Sequence, residues 1–188
     1  MVIRMDSADF QQIIVNREKL EDAVIELSGK INGSYESTEK LVIVVLLEGA
    51  RRFAGDLIKN LNVPIEEVFI KASSYYGGTS SCGQVQIQSD CQINEKLAGQ
   101  NILIVDDIYD TGLTLDSVIK KLKESNPKSI KTCVLLEKKI CHKVDVPIDF
   151  LGMKIEDHFI VGYGLDHNQK YRELPFIAIL PEAEIKAE

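Results

Sequence analysis

The sequence has no excess of basic residues, no long apolar run and no cysteines at metal-binding spacing. Each absence removes a class of function. Lysine and arginine number 22 against 29 acidic residues, a formal net charge of −7, and a nucleic-acid binder would normally carry a basic surface. No apolar run approaches the roughly 20 residues needed to span a bilayer, so no membrane partner is expected. The amino end, MVIRMDSADFQQ, lacks the apolar stretch of a secretory signal. Cys82, Cys91, Cys133 and Cys141 follow no zinc-type pattern and are expected to be reduced thiols in a cytoplasmic protein, with Cys133 a small core residue. There is no repeat, low-complexity tract or linker. With 45% hydrophobic and 27% charged residues over 188 positions, the chain is expected to fold as a single domain, 1–188, with a substantial core.

What is present is an alternation of strand and helix patterns. Leu20, Val24, Leu27 and Ile31 lie on one helical face, predicting a helix over about residues 16–31 that ends at Gly33 and Ser34. LVIVVLL (41–47) reads as a buried strand. A helix follows with Phe53, Ala54, Leu57, Ile58 and Leu61 inward, and Pro64 lies just past it. Residues 68–72, 84–88, 130–136 and 148–151 are predicted strands, and 159–161 and 176–180 are short apolar pieces. Between residues 68–72 and 84–88 lies SSYYGGTSSCG (73–83), a turn-rich tip whose length suggests function. Strands alternating with helices predict an α/β fold, a mainly parallel sheet covered on both faces.

The most informative stretch is NILIVDDIYDTGLT, residues 101–114. Ile102, Leu103, Ile104 and Val105 form an apolar strand that is predicted to stop at Asp106 and Asp107. Asp110, Thr111, Gly112 and Thr114 follow, and then a helix pattern through Leu115, Val118, Ile119 and Leu122. The polar cluster thus sits between a strand's carboxyl end and a helix's amino end, where open α/β sheets bind ligands. Unpartnered amides and the helix dipole favour an anion there, Gly112 permits close backbone approach, and the threonines add hydroxyl donors. Ionised Asp106 and Asp107 only accept hydrogen bonds, so they suit sugar hydroxyls or a divalent cation. A ligand with a phosphate at one end and a diol at the other, such as a ribose 5-phosphate, fits both halves. An Asp or Thr before a helix is commonly only a cap, but three Asp and two Thr around one Gly exceed what one cap uses. A DDxxD metal motif of the isoprenoid-synthase kind sits on a helix in an all-helical protein, whereas this one follows a strand.

On these residues the chain resembles the type I phosphoribosyltransferases, and among them the hypoxanthine-guanine phosphoribosyltransferases. Four blocks carry the resemblance: LLEGARRFAGDL, SSYYGGTSSCG, VDDIYDTGLT, and LLEKK…VDVPIDFLGMKIEDHFIVGYGLD…KYRELP. It implies the family's fold, with a small hood made by the N-terminal and C-terminal segments and a mobile hairpin flap. It implies transfer of 5-phosphoribosyl from phosphoribosyl diphosphate to N9 of hypoxanthine or guanine, giving IMP or GMP and pyrophosphate, with Mg²⁺ as cofactor and homodimers or homotetramers as the assembly. Asp110, Thr111, Gly112, Leu113 and Thr114 would hold the 5′-phosphate, with Asp110 also the catalytic proton partner of purine N7. Asp106 and Asp107 would hold the ribose. Lys138 would donate to the purine 6-oxygen, Phe159 would stack on the base, the backbone of Ile160 would meet its edge, and Asp166 would lie beside it. Glu48, Gly49 and Arg172 would face pyrophosphate, Asp106, Asp107 and Asp166 the metal, and Ser74 and Tyr75 would belong to the flap.

Two departures from the family's pattern stand out. Many relatives have Leu-Lys-Gly after the first sheet strand, with a cis peptide before the glycine, where this chain has Leu47-Glu48-Gly49. A carboxylate cannot replace the lysine's charge, so Arg51 or Arg52 is expected to supply it while Glu48 points away. Asp106 stands where many relatives have Glu. Other readings of the same family are a nucleotide-responsive regulator, which would need a basic face, and a sister enzyme preferring xanthine.

Overall fold

The computed structural model describes residues 10–74, 85–88, 93–138 and 142–185. In chain order the elements are β1 Gln12–Val15, α1 Arg17–Asn32, β2 Leu41–Leu47, α2 Arg51–Ile58, β3 Ile65–Ser74, β4 Val85–Gln88 and α3 Ile93–Leu97. Then come β5 Asn101–Tyr109, α4 Leu113–Lys123, β6 Ser129–Lys138, β7 Phe150–Ile155, β8 Ile160–Val161, β9 Ile177–Ile179 and α5 Glu182–Ile185.

Two sheets result. The large one has strand order β4-β3-β2-β5-β6-β7. Its last five strands in that order are mutually parallel, and β4 adds antiparallel to β3 at the edge. The centre of the sheet is nearly continuous aliphatic sequence because both faces are covered. Alternation along the strands divides the side chains between two cores. Ile43, Val45, Leu103 and Val105 pack under α1 and α2, while Val42, Val44, Ile102 and Ile104 pack under α4. Cys133 is fully buried, and that burial pushes its thiol pKa well up, as suits a core residue. The second sheet, β1-β9-β8, joins the chain's two ends over a small core of Phe10, Val161, Tyr171, Leu174, Ala178 and Leu180. Among the described residues no helix is long and apolar enough to cross a membrane.

The sequence reading holds for the parallel sheet and its flanking helices, with boundary corrections. Asn16 caps α1 through its side chain, and Gly33 closes it. The strand expected to stop at Asp106 instead runs to Tyr109, paired with Leu136 and Glu137. Its neighbour β6 extends to Lys138, so backbone partners remain available after the apolar side chains end. The strand expected at 148–151 lies at Phe150–Ile155, also because β6 offers partners that far. Leu61 falls beyond α2, which ends at Ile58, yet it still packs against the core. Ser74 ends β3, its backbone paired with Val85. Tyr75, Cys82, Cys91, Cys141 and the tip between β3 and β4 lie outside the described residues.

Candidate active site

The chain leaves β2 toward one side of the sheet and β5 toward the other. A crevice must open between their carboxyl ends, the usual binding point of an open α/β sheet. A cleft of about 320 Å³ lies there, lined by Leu47 at the end of β2 and Gly49 after it, by Asp106, Asp107 and Asp110 of β5 and its loop, and by Thr111, Gly112 and Thr114. A second cavity, about 460 Å³, lies between α1 and α2 and is lined by Arg17, Glu21, Arg52, Asp56 and Tyr163 among others. None of the acidic-loop residues lines it.

One wall of the cleft is the start of α4. Gly112 is its N-cap in the left-handed region, φ +82°, and no side chain caps the helix. The first backbone bond back into the loop is Asp116 N–H to Gly112 O, 3.0 Å. A helix start without a side-chain cap leaves amides for water or an anion. A Cβ on Gly112 would sit 2.3 Å from Val144 O, so residue 112 is a glycine for two separate reasons.

The floor is acidic. Asp106 is 9% exposed, and its Oδ1 accepts from the Asp107 amide at 3.0 Å. Burial raises the pKa of both carboxyls, and for Asp106 the neighbouring Asp107 charge raises it further. Asp107 is partly relieved by hydrogen bonds and by the field of Arg172. Its carboxylate lies over Gly49, where a Cβ would come within 1.7 Å of Oδ2. Ionising such a buried pair costs stability. An acid whose folded pKa is raised is stable below its ordinary value and loses stability as pH climbs through the raised one. Asp106→Asn keeps the Oδ1 acceptor and removes a charge. It is expected to raise the melting temperature of the ligand-free protein at pH 7, by about 2–4 °C for each kcal/mol recovered. Scanning calorimetry should find that gain shrinking as the pH is lowered toward 4. A lower melting temperature at pH 7 would mean the pair is not a buried burden.

The same pair is the donor set a hard divalent cation takes, and a cation beside it would offset the cost of ionising both acids. Among the described residues no three His, Cys, Asp or Glu are gathered to hold a metal by themselves. Asp166, expected to join them, has Oδ1 on Arg172 at 2.7 Å and Oδ2 on the Gln169 amide at 2.9 Å. The protein therefore offers an incomplete shell, which fits Mg²⁺, an ion that usually keeps waters and substrate oxygens.

The segment after β8 packs against Gly49, beside the cleft. Gly164, φ +106°, packs so tightly that a Cβ would be 2.1 Å from Gly49 O. Arg172 donates to Gly164 O at 2.7 Å, so Gly49, Gly164, Asp166 and Arg172 form one cluster. The cis peptide is Leu47–Glu48, one bond earlier than expected. Arg52 does not face this cluster. It donates to the carbonyls of Glu173 and Leu174 at 2.8 Å each and stacks over Tyr163, which corrects the expectation that it could offset Glu48. Its side chain is committed to the carbonyls of residues 173 and 174, and Arg172 is a cation whose field reaches Asp107.

Lys138, at the end of β6, has a side chain only 13% exposed, with Nζ 3.5 Å from Asp110 and 3.1 Å from Asp157. Register explains this. β5 and β6 pair to Glu137, so the loop after β5 and the last residue of β6 emerge side by side. Phe159 is 41% exposed and meets His167 edge-on at 5.2 Å. Ile160 buries its side chain and pairs with Ile179 in the small sheet. Sequence reasoning missed Asp157, which pairs with Lys138, and the stretch 142–146, which reaches the Tyr109 hydroxyl and Thr111 O from more than 30 positions along the chain.

The model of the phosphoribosyl transferase domain matches residues 11–168. A hypoxanthine-guanine phosphoribosyltransferase of Bacillus subtilis is 38% identical over 175 residues, 93% of this chain and 96% of that protein. A hypoxanthine-guanine-xanthine phosphoribosyltransferase of Tritrichomonas foetus is 39% identical over 176 residues, 93% of this chain and 94% of that one. The crystal structure of a hypoxanthine phosphoribosyltransferase from Staphylococcus aureus superposes with a TM-score of 0.87 at 34% identity, covering 98% of this chain and 100% of that chain. On its fold, its cleft and these similarities, the chain belongs to the phosphoribosyl transferase domain family.

Proposed function

We propose that this chain is a purine-salvage enzyme that moves 5-phosphoribosyl from phosphoribosyl diphosphate to N9 of hypoxanthine or guanine. One observation carries the reading: an acidic strand end and a helix start without a side-chain cap share a cleft, with a nearly buried lysine 3.5 Å from the loop's Asp110. The relatives' names point the same way.

In this mechanism Gly112, Leu113 and Thr114 offer amides to the 5′-phosphate, and Thr111 and Thr114 add hydroxyls. Asp106 and Asp107 orient the ribose hydroxyls and place negative field beside the cation-like sugar that forms as its C1 bond breaks. Holding the sugar at both ends removes much of the entropic cost of the encounter. Arg172 and the backbone at Glu48 and Gly49 face the departing pyrophosphate, and the forked guanidinium suits phosphate oxygens. Mg²⁺, held by Asp106 and Asp107 together with substrate oxygens, would neutralise charge on the leaving group. Asp110 takes or shares the N7 proton, which makes N9 a better nucleophile. Lys138, all donor and no acceptor, selects a 6-oxo over a 6-amino purine. Phe159 stacks on the base, the Ile160 backbone meets its edge, and Asp166 positions Arg172. Ser74 and Tyr75 belong to a flap that excludes water. The small sheet β1-β9-β8 serves as the hood of a single domain, 1–188. The enzyme works in the cytoplasm as a homodimer or homotetramer.

The decisive experiment incubates the protein with phosphoribosyl diphosphate, Mg²⁺ and, separately, hypoxanthine, guanine, xanthine and adenine. Inosinate and guanylate are the expected products, and no nucleotide from any base would reject the reading. The T. foetus relative's name makes xanthine the informative third base. Lys138→Ala is expected to raise the KM for hypoxanthine by about 10-fold or more, given the worth of a charged hydrogen bond, and to leave the KM for phosphoribosyl diphosphate unchanged. Unaltered 6-oxopurine kinetics would take Lys138 out of base recognition.

A further inference from the structure

We propose that Tyr109 is a positioning residue: its hydroxyl pins residues 142–146 against the back of the loop Asp110–Thr114 and so orients the amides that meet the sugar's phosphate. The inference deepens the phosphoribosyl reading of that loop and rests on it.

Tyr109 is the last residue of β5 and is 2% exposed. A buried phenol needs partners for its hydroxyl, and this one has two. It donates to Val144 O at 2.9 Å and accepts from Val146 N–H at 3.0 Å. Its ring is stacked on His142 at 4.0 Å with an interplanar angle of 27°. The held segment in turn grips the loop. Lys143 N–H and Val144 N–H both donate to Thr111 O, at 2.9 and 3.1 Å, and Val144 O lies against Gly112.

The geometry of the peptide unit turns this contact into aim. In a planar trans peptide the C=O and the following N–H point in opposite directions. Thr111 O is tied toward residues 143 and 144, so the N–H of Gly112 must point the other way, toward the cleft. Two amide donors on one carbonyl hold that plane from behind. Without the Tyr109 hydroxyl the segment loses its anchor, and the Thr111–Gly112 peptide is free to rotate. The substrate's phosphate would then have to order it.

The test compares the wild-type chain with Tyr109→Phe, which deletes one oxygen, and His142→Ala, which removes the stack together with the 3.8 Å approach of Nε2 to Glu137. Binding of ribose 5-phosphate is measured by calorimetry, and KM for each substrate by initial rates. Tyr109→Phe is expected to weaken ribose 5-phosphate and raise the KM for phosphoribosyl diphosphate by about 5–10-fold, the worth of a hydrogen bond. The KM for hypoxanthine and the turnover at saturation should stay within about twofold. His142→Ala should shift the same two quantities in the same direction by a smaller factor. Loss of general stability would lower the active fraction and hence the apparent turnover while leaving both KM values in place, so a rise in the KM for phosphoribosyl diphosphate alone reports positioning. The proposal is overturned if both variants bind ribose 5-phosphate as the wild type does, or if the purine KM rises in step. A wild-type chain that makes no nucleotide yet binds ribose 5-phosphate in a Tyr109-dependent way would reject the transfer reading and uphold the clamp. Normal turnover with Tyr109-independent binding would do the reverse.

Discussion

Asp110→Asn is expected to lower turnover by about 10²–10⁴-fold, the usual worth of a general acid or base, while nucleotide affinity changes far less. Asn matches Asp in size and can still accept a hydrogen bond from the purine, but it cannot take a proton. The variant also keeps Lys138 in place, because Asp157 holds its Nζ at 3.1 Å independently of Asp110. Nor does it disturb the acidic floor of the cleft, which is built by Asp106 and Asp107 deeper in the strand. The loss should therefore appear in kcat at saturating phosphoribosyl diphosphate and hypoxanthine. Calorimetric binding of IMP should shift by no more than about the worth of one hydrogen bond. If kcat stays within a few-fold of wild type, Asp110 has no part in moving the proton. If affinity falls as far as turnover, its role is binding alone.

Gly112→Ala is expected to abolish measurable transfer and to destabilise the fold. Two costs coincide at this position. At φ +82° a residue with a Cβ is strained, by about 1–3 kcal/mol. The new methyl would also lie 2.3 Å from Val144 O and 3.0 Å from the Tyr109 ring. Neither obstacle is the free end of a flexible side chain. Val144 is held by its bonds to Thr111 and Tyr109, so relief requires the loop and the 142–146 segment to part. Thermal unfolding should show a drop of several degrees, about 2–4 °C per kcal/mol for a domain of this size. The KM for phosphoribosyl diphosphate should rise beyond the assay range. Wild-type melting and wild-type kinetics in the same preparation would refute the account of this turn. Gly99 makes a control. It also has a positive φ, +69°, but nothing lies within 4 Å of its Cβ position. Gly99→Ala should therefore show the strain alone and no effect on the phosphate end of the substrate.

The limits of the sequence are visible in particular residues. Asp106, Asp107, Asp110 and the TGLT turn could be read directly, because a strand, a polar cluster and a helix start are consecutive in the chain, and local order places them together. The aliphatic runs of β2 and β5 identified the buried centre for the same reason: composition along a strand reports burial on its two faces. Lys138 was singled out only through its family pattern, since an exposed lysine and a buried one look alike in sequence. Arg52 was misjudged. Its place within a helical turn of Gly49 suggested a partner for pyrophosphate, but carbonyls 121 and 122 positions away claimed it. Nothing in the sequence singled out Tyr109, because its partners lie 35 and 37 positions away.

By itself the sequence determined which elements form, which strands are buried and which turn carries the acidic chemistry, because each depends on residues within a few positions of one another. Tertiary structure alone decided where β5 ends, which cation stands near Asp107, that Gly49 and Gly164 must touch, and that the Tyr109 hydroxyl meets the backbone of Val144 and Val146. Those facts depend on the register of neighbouring strands and on where distant segments come to rest. Packing sets both, and no short-range pattern encodes them.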